Sequence, residues 1–478
     1  MRACRDLGMR AVAVYSDADR DALHVRMADE AIRLGPAAPS ESYLAIEKLV
    51  AVAVRAGCDA VHPGYGFLSE NADFAEAVAR AGLTFVGPPA DVQRALGEKT
   101  RARRIAREAG VAVAEGTIDP LRDLDEARAV VARVGYPIML KAAGGGGGKG
   151  MRIVRGAAEL DSAWRLAASE ASSAFGTPAL FLERLIEHAR HVEVQLIADH
   201  HGSVVWLGER DCSVQRRHQK LIEETPGPSV DAELRARLGE AAVRIARAAG
   251  YRNAGTAEFL VGADGGYAFL EVNTRLQVEH PVTEAVTGLD LVALQFHVAA
   301  GRALPFTQSE VTPHGAAIEL RITAEDARAG FVPASGRIEA LRLPSGPGVR
   351  VDHALFSGMR VPTEYDPLLA KLVVWGEDRA AAIARARRAV RETIIAGLPT
   401  SLSFHAHALA DADFSAGRYD TDFVATHWTG SASAELEGSA LYAAAIGAVL
   451  AARGGSRVRA AAPADPAWAR AAREEALR

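Results

Sequence analysis

The sequence LEVNTRLQVEHP, residues 270–281, says most about the fold and chemistry of this chain. Every second residue from 271 to 279 is polar. If the segment is extended, successive side chains point to opposite faces. One face then carries two carboxylates, two amides and a guanidinium, from Glu271, Asn273, Arg275, Gln277 and Glu279. Such a face is typical of a ligand-binding surface rather than of an ordinary half-buried strand.

A hairpin is predicted to bring a further carboxylate to this face. Residues 255–261 form a second apolar run, and Asp264-Gly265 is a turn signal between the two runs. A turn centred there places Glu258 directly opposite Glu271, where like charges destabilise a sheet. A Mg²⁺ ion bound to both carboxylates and to Asn273 would offset that repulsion. The alternatives are a solvated pair on an exposed hairpin and a register shifted by one residue.

A glycine-rich loop is a candidate phosphate site. Five glycines at 144–148 lie between strands predicted at 136–143 and 151–154, with Lys141 before them and Lys149 directly after. Glycine runs lose much entropy on folding, and occur where backbone must approach a ligand closely. Successive N–H groups can bind phosphate. The spacing does not fit a Walker A loop. The loop is not a dinucleotide-binding fingerprint either, because it leads into a predicted strand rather than a helix. A flexible linker is the alternative.

Two other basic features are candidates for binding a polyphosphate. The segment ERDCSVQRRHQK, residues 209–220, is by itself best interpreted as a solvated surface run. It gains weight because a polyphosphate requires several cations. Lys99 begins a helix predicted over residues 98–109.

Composition excludes several classes of protein. A chain of 478 residues is expected to form two or three domains, and its net charge of −5 argues against general nucleic-acid binding. The three cysteines form no CxxC pair, which predicts neither a disulfide framework nor a zinc site and favours a reducing, cytoplasmic location. The apolar run at 441–452 is too short to span a membrane and predicts a packed helix.

The order of predicted elements indicates the architecture. Strands at 11–15, 60–61 and 84–86 alternate with helices at 43–56 and 71–81, which predicts a parallel α/β sheet. The chain starts within a helix that Gly8 ends, so we expect an opening strand and most of a helix to precede it. Residues 316–375 are predicted to be rich in strands, and a helix is predicted over 379–395.

With these motifs in view, the chain resembles the biotin carboxylase component of biotin-dependent carboxylases, of the acyl-CoA carboxylase α-subunit type, in the ATP-grasp superfamily. The resemblance covers residues 1 to about 428. Its motifs are HPGYGFLSEN (62–71), the glycine loop, ERDCS (209–213), RRHQK (216–220) and residues 271–281. The implied α/β fold has an N-terminal parallel domain (1–95), an ATP-grasp domain (96–305, lid about 115–185), a C-terminal β-rich domain (306–428) and a linker or further domain (429–478).

The resemblance implies an ATP-dependent carbon–nitrogen ligase. Bicarbonate and ATP would give carboxyphosphate, which carboxylates biotin in the first half-reaction of an acyl-CoA carboxylase. ATP, two Mg²⁺ or Mn²⁺ ions and carrier-bound biotin are expected. A homodimer or larger assembly with a carboxyltransferase subunit is expected too, and neither nucleic acid nor membrane is. The chain lacks an Ala/Val-Met-Lys-Met motif, so biotin would be attached elsewhere. The alternatives are another ATP-grasp carboxylate ligase and a truncated, inactive scaffold subunit.

The resemblance also assigns roles to residues. Glu279 would deprotonate bicarbonate, which requires a raised pKa; Arg275 would bind bicarbonate with Gln277 and Val278, and Arg321 would stabilise deprotonated biotin near Tyr65. The metal ligands would be Glu258, Glu271 and Asn273. The nucleotide would be bound by Lys99, Lys141, Gly146, Gly147, Glu183, Ile186, His191, Gln215, His218 and Lys220, of which Lys220 is also a catalytic candidate.

Overall fold

The computed structural model describes residues 1–142 and 151–430, apart from the side chains of residues 174 and 175. The glycine loop, including Gly146, Gly147 and Lys149, lies outside the described residues, and so does the helix predicted over 441–452. The fold is mixed α/β, as predicted. None of the described helices combines the length and the hydropathy that crossing a membrane requires.

The first 108 residues alternate between helices and short strands. Strand β1 (Val12–Ser16) pairs in parallel with β2 (Glu30–Gly35), and β3 (Ala60–Val61) pairs in parallel with β4 (Thr84–Phe85). The parallel pairing is confirmed, but β2 was not predicted and the two pairs are separate ladders. The helices are α1 (Arg2–Asp6), α2 (Leu23–Met27), α3 (Ile46–Arg55), α4 (Ala72–Arg80), α5 (Ala90–Gly97) and α6 (Lys99–Glu108).

Capping sets the ends of the predicted helices. Asn71 accepts a 2.8 Å hydrogen bond from the N–H of Phe74, so α4 begins one residue after the predicted start. Gly8 has a φ of 70°, which is the left-handed position predicted for it after α1.

The predicted lid region forms a three-stranded antiparallel sheet with two helices. Its strand order is β6 (Met151–Val154), β5 (Ile138–Ala142), β7 (Leu180–Arg184), and its helices are α7 (Leu124–Val134) and α8 (Ala157–Phe175). Fully buried side chains such as Leu140, Val154 and Leu182 give this region a hydrophobic cluster of its own.

The main sheet has eight antiparallel strands. Its members are β8 (Arg190–Ala198), β9 (Val204–Arg216), β10 (Gln219–Thr225), β11 (Asn253–Val261), β12 (Tyr267–Asn273), β13 (Ala316–Thr323), β18 (Val349–His353) and β20 (Leu368–Gly376). The strand order is β12-β11-β8-β9-β10-β13-β20-β18. Shorter strands are β14 (Glu325–Asp326), β15 (Val332–Pro333), β16 (Gly336–Arg337), β17 (Ala340–Arg342), β19 (Arg360–Val361) and β21 (Ile394–Ala396).

This sheet joins the predicted central and C-terminal domains. Strands β10 and β13 pair from Ile222 opposite Leu320 to Thr225 opposite Ala317. Residues from distant parts of the sequence therefore lie on neighbouring strands, and the sheet supplies side chains to the site from both predicted domains.

Helices pack on the sheet and build its cores. Helix α9 (Ala232–Ala248) buries Leu238 and Ile245 with Phe259 of β11. The other helices are α10 (His280–Thr287), α11 (Leu291–Ala299), α12 (Arg379–Glu392), α13 (Leu402–Ala410), α14 (Ala412–Ser415) and α15 (Phe423–His427). Helix α12 ends before the predicted residue 395 because the β-branched residues that follow it favour an extended chain and form β21.

The predicted hairpin is present, with a different turn. Glu258 lies directly opposite Glu271, as predicted, although the pairs nearer the turn, from Phe259 to Val261, are centred on Asp264. Leu270 is an extra residue on β12, and this bulge restores the predicted pairing. The prediction of an extended chain through residue 279 is wrong, because β12 ends at Asn273 and Glu279 is the N-cap of α10.

Candidate active site

Lys220 lies among three buried carboxylates. Its Nζ is 2.9 Å from Oε1 of Glu258 and 2.6 Å from Oε1 of Glu279, and it also donates to Oε2 of Glu193. The residues come together because β11, β8, β9 and β10 are consecutive in the sheet and α10 begins beside it. Burial opposes the charge of Lys220, but Glu193, Glu258 and Glu279 raise its pKa well above the usual value. Lys220 is therefore a permanent cation in this site.

Arg210 is the buried support of this cluster. The guanidinium is fully buried, and all five of its N–H groups have an acceptor. Its Nε donates to Glu193 at 2.5 Å, and its other two nitrogens donate to Gln195, Thr256, Gln277 and Thr283 at 2.7–3.2 Å. The interpretation of residues 209–220 as a solvated surface run is therefore wrong, since this segment forms most of β9 and the start of β10.

Arg321 connects Glu279 to a further carboxylate. Its Nη2 donates to Oε2 of Glu279 at 2.8 Å, and its Nε donates to Oε1 of Glu223 at 2.5 Å. Its third nitrogen, Nη1, has no hydrogen-bond partner among the described residues. That nitrogen is available to an anionic ligand.

The expected upward shift in the pKa of Glu279 is not found. Burial would raise this pKa, but Lys220, Arg321 and Arg210 together hold it well below the usual value. With these cations in place the carboxylate is a weak base. The physical reason is the number of cations, of which only Lys220 and Arg321 were assigned to the site from the sequence.

The proposed metal ligands converge, and cations already accompany them. Oε1 of Glu258 accepts hydrogen bonds of 2.9 Å from Asn273, Gln277 and Lys220. Lys99 lies 3.2 Å from Oε2 of Glu271. The like-charge pair is thus compensated on both strands by lysines, so the repulsion alone does not require a metal. The oxygens of Glu258, Glu271 and Asn273 nevertheless fit a hard divalent ion.

The bicarbonate candidates lie on the segment after β12. Arg275 lies 3.3 Å from Glu70 and donates to Asn273 at 3.2 Å. The carbonyl oxygen of Val278 accepts a 2.8 Å hydrogen bond from Lys371. Tyr65 is partly exposed, and its ring centroid is 5.6 Å from Nζ of Lys371.

The nucleotide candidates form a basic wall between the lid and the main sheet. Lys141 of β5 and Arg103 of α6 both form ion pairs with Glu183 of β7. Burial lowers the pKa of His218, and the nearby cations of His191, Lys141 and Lys99 lower it further, which places these four basic groups together. The Glu183 side chain is occupied by its ion pairs, and its backbone pairs with Met139 of β5.

The remaining nucleotide candidates are placed by their strands. His191 of β8 is buried, and its Nε2 is 3.0 Å from Oε2 of Glu258. Gln215 is buried and lies opposite Lys220 across β9 and β10. Ile186 follows β7 and lines a groove beside the turn of the Glu258 hairpin.

Several residues of the site were not predicted from the sequence. They are Glu70, Glu193, Arg210, Glu223 and Lys371, and all of them contact predicted site residues. Glu70 and Arg210 lie within motifs that the sequence made visible. For Glu223 and Lys371 no local signal exists, because only the pairing of β10, β13 and β20 brings them near.

Comparison with protein families gives three matches. Residues 1–93 match the biotin carboxylase N-terminal domain, and residues 319–426 match the biotin carboxylase C-terminal domain. Residues 98–307 match the ATP-binding domain of the carbamoyl-phosphate synthase L chain.

Curated proteins and solved structures match most of the chain. Biotin carboxylase 1 of Bacillus subtilis is 47% identical over 428 residues, which is 89% of this chain and 95% of that protein. The biotin carboxylase of a Nostoc species is 46% identical over 424 residues, which is 89% of this chain and 95% of that protein. The biotin carboxylase domain dimer of Hydrogenobacter thermophilus 2-oxoglutarate carboxylase, in complex with MgADP, ADP and bicarbonate, has a TM-score of 0.86 at 42% identity, covering 89% of this chain and 94% of that chain.

Proposed function

This chain belongs to the biotin carboxylase family, and from that premise we propose that it catalyses the ATP-dependent carboxylation of biotin by bicarbonate. The observation that supports this best is the position of Glu279. Its carboxylate lies between Lys220 and Arg321, at 2.6 and 2.8 Å. A base, two cations and oxygen ligands for a metal in one buried site suit the activation of bicarbonate by ATP.

Bicarbonate would bind beside Glu279. Arg275 offers a planar, permanently charged group that suits a carboxylate-like anion. Gln277 and the backbone of Val278 would orient it, since both are held by hydrogen bonds to Glu258 and Lys371 respectively. Glu279 would then accept the proton of bicarbonate. The deprotonated bicarbonate oxygen could then attack the terminal phosphate of ATP.

Entry of the nucleotide would prepare Glu279 for this task. The pKa of Glu279 is held low mainly by Lys220, which is 2.6 Å away. Phosphate oxygens would form an ion pair with the ammonium group of Lys220 and weaken its interaction with Glu279. The pKa of the carboxylate then rises toward a value suited to a general base.

Lysines on three elements would contact the phosphates. We assign this role to Lys99, Lys141 and Lys220, with His191, Gln215 and His218 completing the nucleotide site. Gly146 and Gly147 would cover the phosphates, and backbone groups from Glu183 to Ile186 would contact the adenine.

A divalent cation is expected to accompany ATP, and Glu258, Glu271 and Asn273 would hold it. Their hard oxygen donors suit Mg²⁺ or Mn²⁺. When bound, the metal would offset the phosphate charge that develops in phosphoryl transfer. The ammonium groups of Lys99 and Lys220 would then pair with the phosphates instead of with these carboxylates.

Biotin would receive the carboxyl group near Arg321. The free Nη1 of Arg321 would stabilise the oxygen of deprotonated biotin, with Tyr65 nearby. We further propose a division into domains at residues 95, 305 and 428. The proposed partners are a biotin carrier, a second copy of the chain and a carboxyltransferase subunit.

The test is ADP release with Mg-ATP and bicarbonate, with and without high free biotin, in the wild type and in Glu279→Gln. Glu240→Gln, an exposed change on α9, is the matched control. Biotin-stimulated, bicarbonate-dependent release that only Glu279→Gln abolishes would support the proposal. Release that depends on another carboxylate, and not on bicarbonate or biotin, would point to a different ligase.

A further inference from the structure

Glu223 and Glu319 are a pair of buried carboxyl groups beside Arg321. They lie directly opposite each other on β10 and β13, and both are fully buried. Directly opposed residues on antiparallel strands share one face, with Cβ atoms about 5 Å apart. The two carboxyl groups are therefore neighbours in the protein interior.

Their partners are unequal. Oε1 of Glu223 accepts the 2.5 Å hydrogen bond from Arg321, whereas Oε2 of Glu223 and both oxygens of Glu319 have no hydrogen bond among the described residues. Lys371 of β20, which lies opposite Arg321, donates its hydrogen bond to Val278 instead. Glu319 is thus buried without a hydrogen-bonded cation among the residues that the structure describes.

Two adjacent buried carboxylates cannot both stay charged when one cation contacts only one of them. The groups that act on Glu319 are Glu223 across the pair, Arg321 on its own strand, Lys371 on β20, Glu279 before α10 and Tyr65 after β3. Cys212 of β9 interacts electrostatically with Glu223. Strand β9 lies on the side of β10 that is opposite to β13. Burial raises the pKa of Glu319 well above the usual value, and Glu223 and Glu279 add to this effect while Lys371 and Arg321 oppose it. Burial also raises the pKa of Glu223, to about 7, but Arg321, which donates a hydrogen bond to it, and Lys220 oppose that rise, so Glu223 is the member that loses its proton first.

We propose that Glu223 and Glu319 hold one proton between them, on Glu319, and that this pair positions Arg321 for the carboxylation of biotin. The charged Glu223 fixes the Nε edge of Arg321, which leaves Nη2 on Glu279 and Nη1 free. Glu319 lies two residues before Arg321, on the same face of β13. In its neutral form it does not compete with Glu223 and Glu279 for the Arg321 guanidinium. The charge state of the pair does not depend on the proposed function, whereas its role in carboxylation rests on that function.

The pair predicts a loss of activity at high pH. Deprotonation of Glu319 creates a second carboxylate next to Arg321, which draws the guanidinium away from Glu279. The turnover number should therefore fall on the alkaline side as Glu319 ionises. ATP binding should change little, because Arg321 is not among the nucleotide candidates.

Matched substitutions separate the two members. Glu319→Gln imitates the protonated acid, so its kcat at neutral pH should fall far less than that of Glu223→Gln, and its alkaline decline should move up by about one pH unit or disappear. Glu223→Gln removes the charge that holds Arg321 and should lower kcat about tenfold or more, with the KM for ATP nearly unchanged. Equal losses in the two variants, or an unchanged pH profile in Glu319→Gln, would overturn the proposal.

An infrared measurement tests the charge state without using activity. The wild type at neutral pH should show the C=O stretching band of a buried protonated carboxylic acid. Glu319→Gln should lose that band. The control Glu209→Gln should keep it, because Glu209 accepts two hydrogen bonds from Arg235, whereas Glu319 accepts none among the described residues. Absence of the band in the wild type, or its persistence in Glu319→Gln, would contradict the shared proton. A folded wild type without biotin-dependent turnover would instead refute the proposed function, and the band would still decide the charge state.

Discussion

The Nζ of Lys371 donates a 2.8 Å hydrogen bond to the carbonyl oxygen of Val278. Lys371 is a buried residue of β20, and Val278 directly precedes Glu279 at the start of α10. A strand from the C-terminal part of the chain therefore fixes the peptide that carries Glu279. The contact couples the far end of the sheet to the position of the proposed base.

Replacing Lys371 tests this coupling. Lys371→Met should lower kcat for biotin-dependent ATP cleavage by about tenfold to a hundredfold, because a small displacement of Glu279 costs that much. The affinity for ATP, measured by isothermal titration, should stay nearly constant. Lys48→Met is the control, since Lys48 also donates to a backbone carbonyl but has no proposed role in the site. Equal kcat values in the two variants would refute the role of Lys371.

Arg210 should be essential for stability. Arg210→Met removes one of the cations that contact Glu193. It also removes the hydrogen-bond donor to the side chains of four other residues, Gln195, Thr256, Gln277 and Thr283. We expect a loss of about 3–5 kcal/mol in the free energy of unfolding, measured with urea. Arg128→Met, which removes exposed ion pairs with Asp125 of α7 and Asp161 of α8, should cost less than about 1 kcal/mol. Similar losses for both would show that the buried network contributes little.

The hairpin carboxylates should control metal affinity. In the presence of ADP, Glu258→Gln and Glu271→Gln should each weaken Mn²⁺ binding by about tenfold or more, because each removes a charged oxygen ligand. Electron paramagnetic resonance of free Mn²⁺ measures this directly. The exposed Glu240→Gln should bind Mn²⁺ as the wild type does. Wild-type affinity in both hairpin variants would place the metal elsewhere.

His405 should make stability depend on pH in the acidic range. Burial lowers its pKa to about 4, against the opposing effect of its hydrogen bond with the Arg321 carbonyl. The unfolded chain binds this proton near pH 6.5. Above about pH 6.5 the titration of His405 therefore costs no stability. As the pH falls from about 6.5 toward 4, the free energy of unfolding decreases by up to about 3 kcal/mol.

The measurement is urea unfolding at several pH values. His405→Gln should flatten the decline between about pH 6.5 and 4. The exposed His200→Gln should follow the wild type. Parallel curves for His405→Gln and the wild type would contradict the assignment.

Much of the site was predictable because local patterns determine it. The pairing of Glu258 with Glu271 follows from two apolar runs and a turn signal, although the bulge at Leu270 could not be foreseen. We also expected Gln277 and Glu279 to lie close to these residues, but we attributed this to an extended strand through residue 279. The chain leaves the strand after Asn273 and reaches the site through the start of α10.

The rest depends on long-range pairing that no local pattern encodes. Arg321 meets Glu223 because β13 lies beside β10, and Lys371 meets Val278 because β20 lies beside β13. The low pKa of Glu279 has the same origin, since it reflects cations on three strands, β9, β10 and β13, and β13 is far from the other two in the sequence. Charge compensation of this kind becomes visible only when the sheet order is known.

The transfer of labelled carbon from bicarbonate to biotin tests directly whether Glu279 is the base for carboxylation. Wild-type protein with Mg-ATP, labelled bicarbonate and free biotin should form acid-labile carboxybiotin, whereas Glu279→Gln should form none while still binding ATP. Formation of ADP without carboxybiotin by the wild type, or undiminished carboxybiotin in Glu279→Gln, would contradict the account.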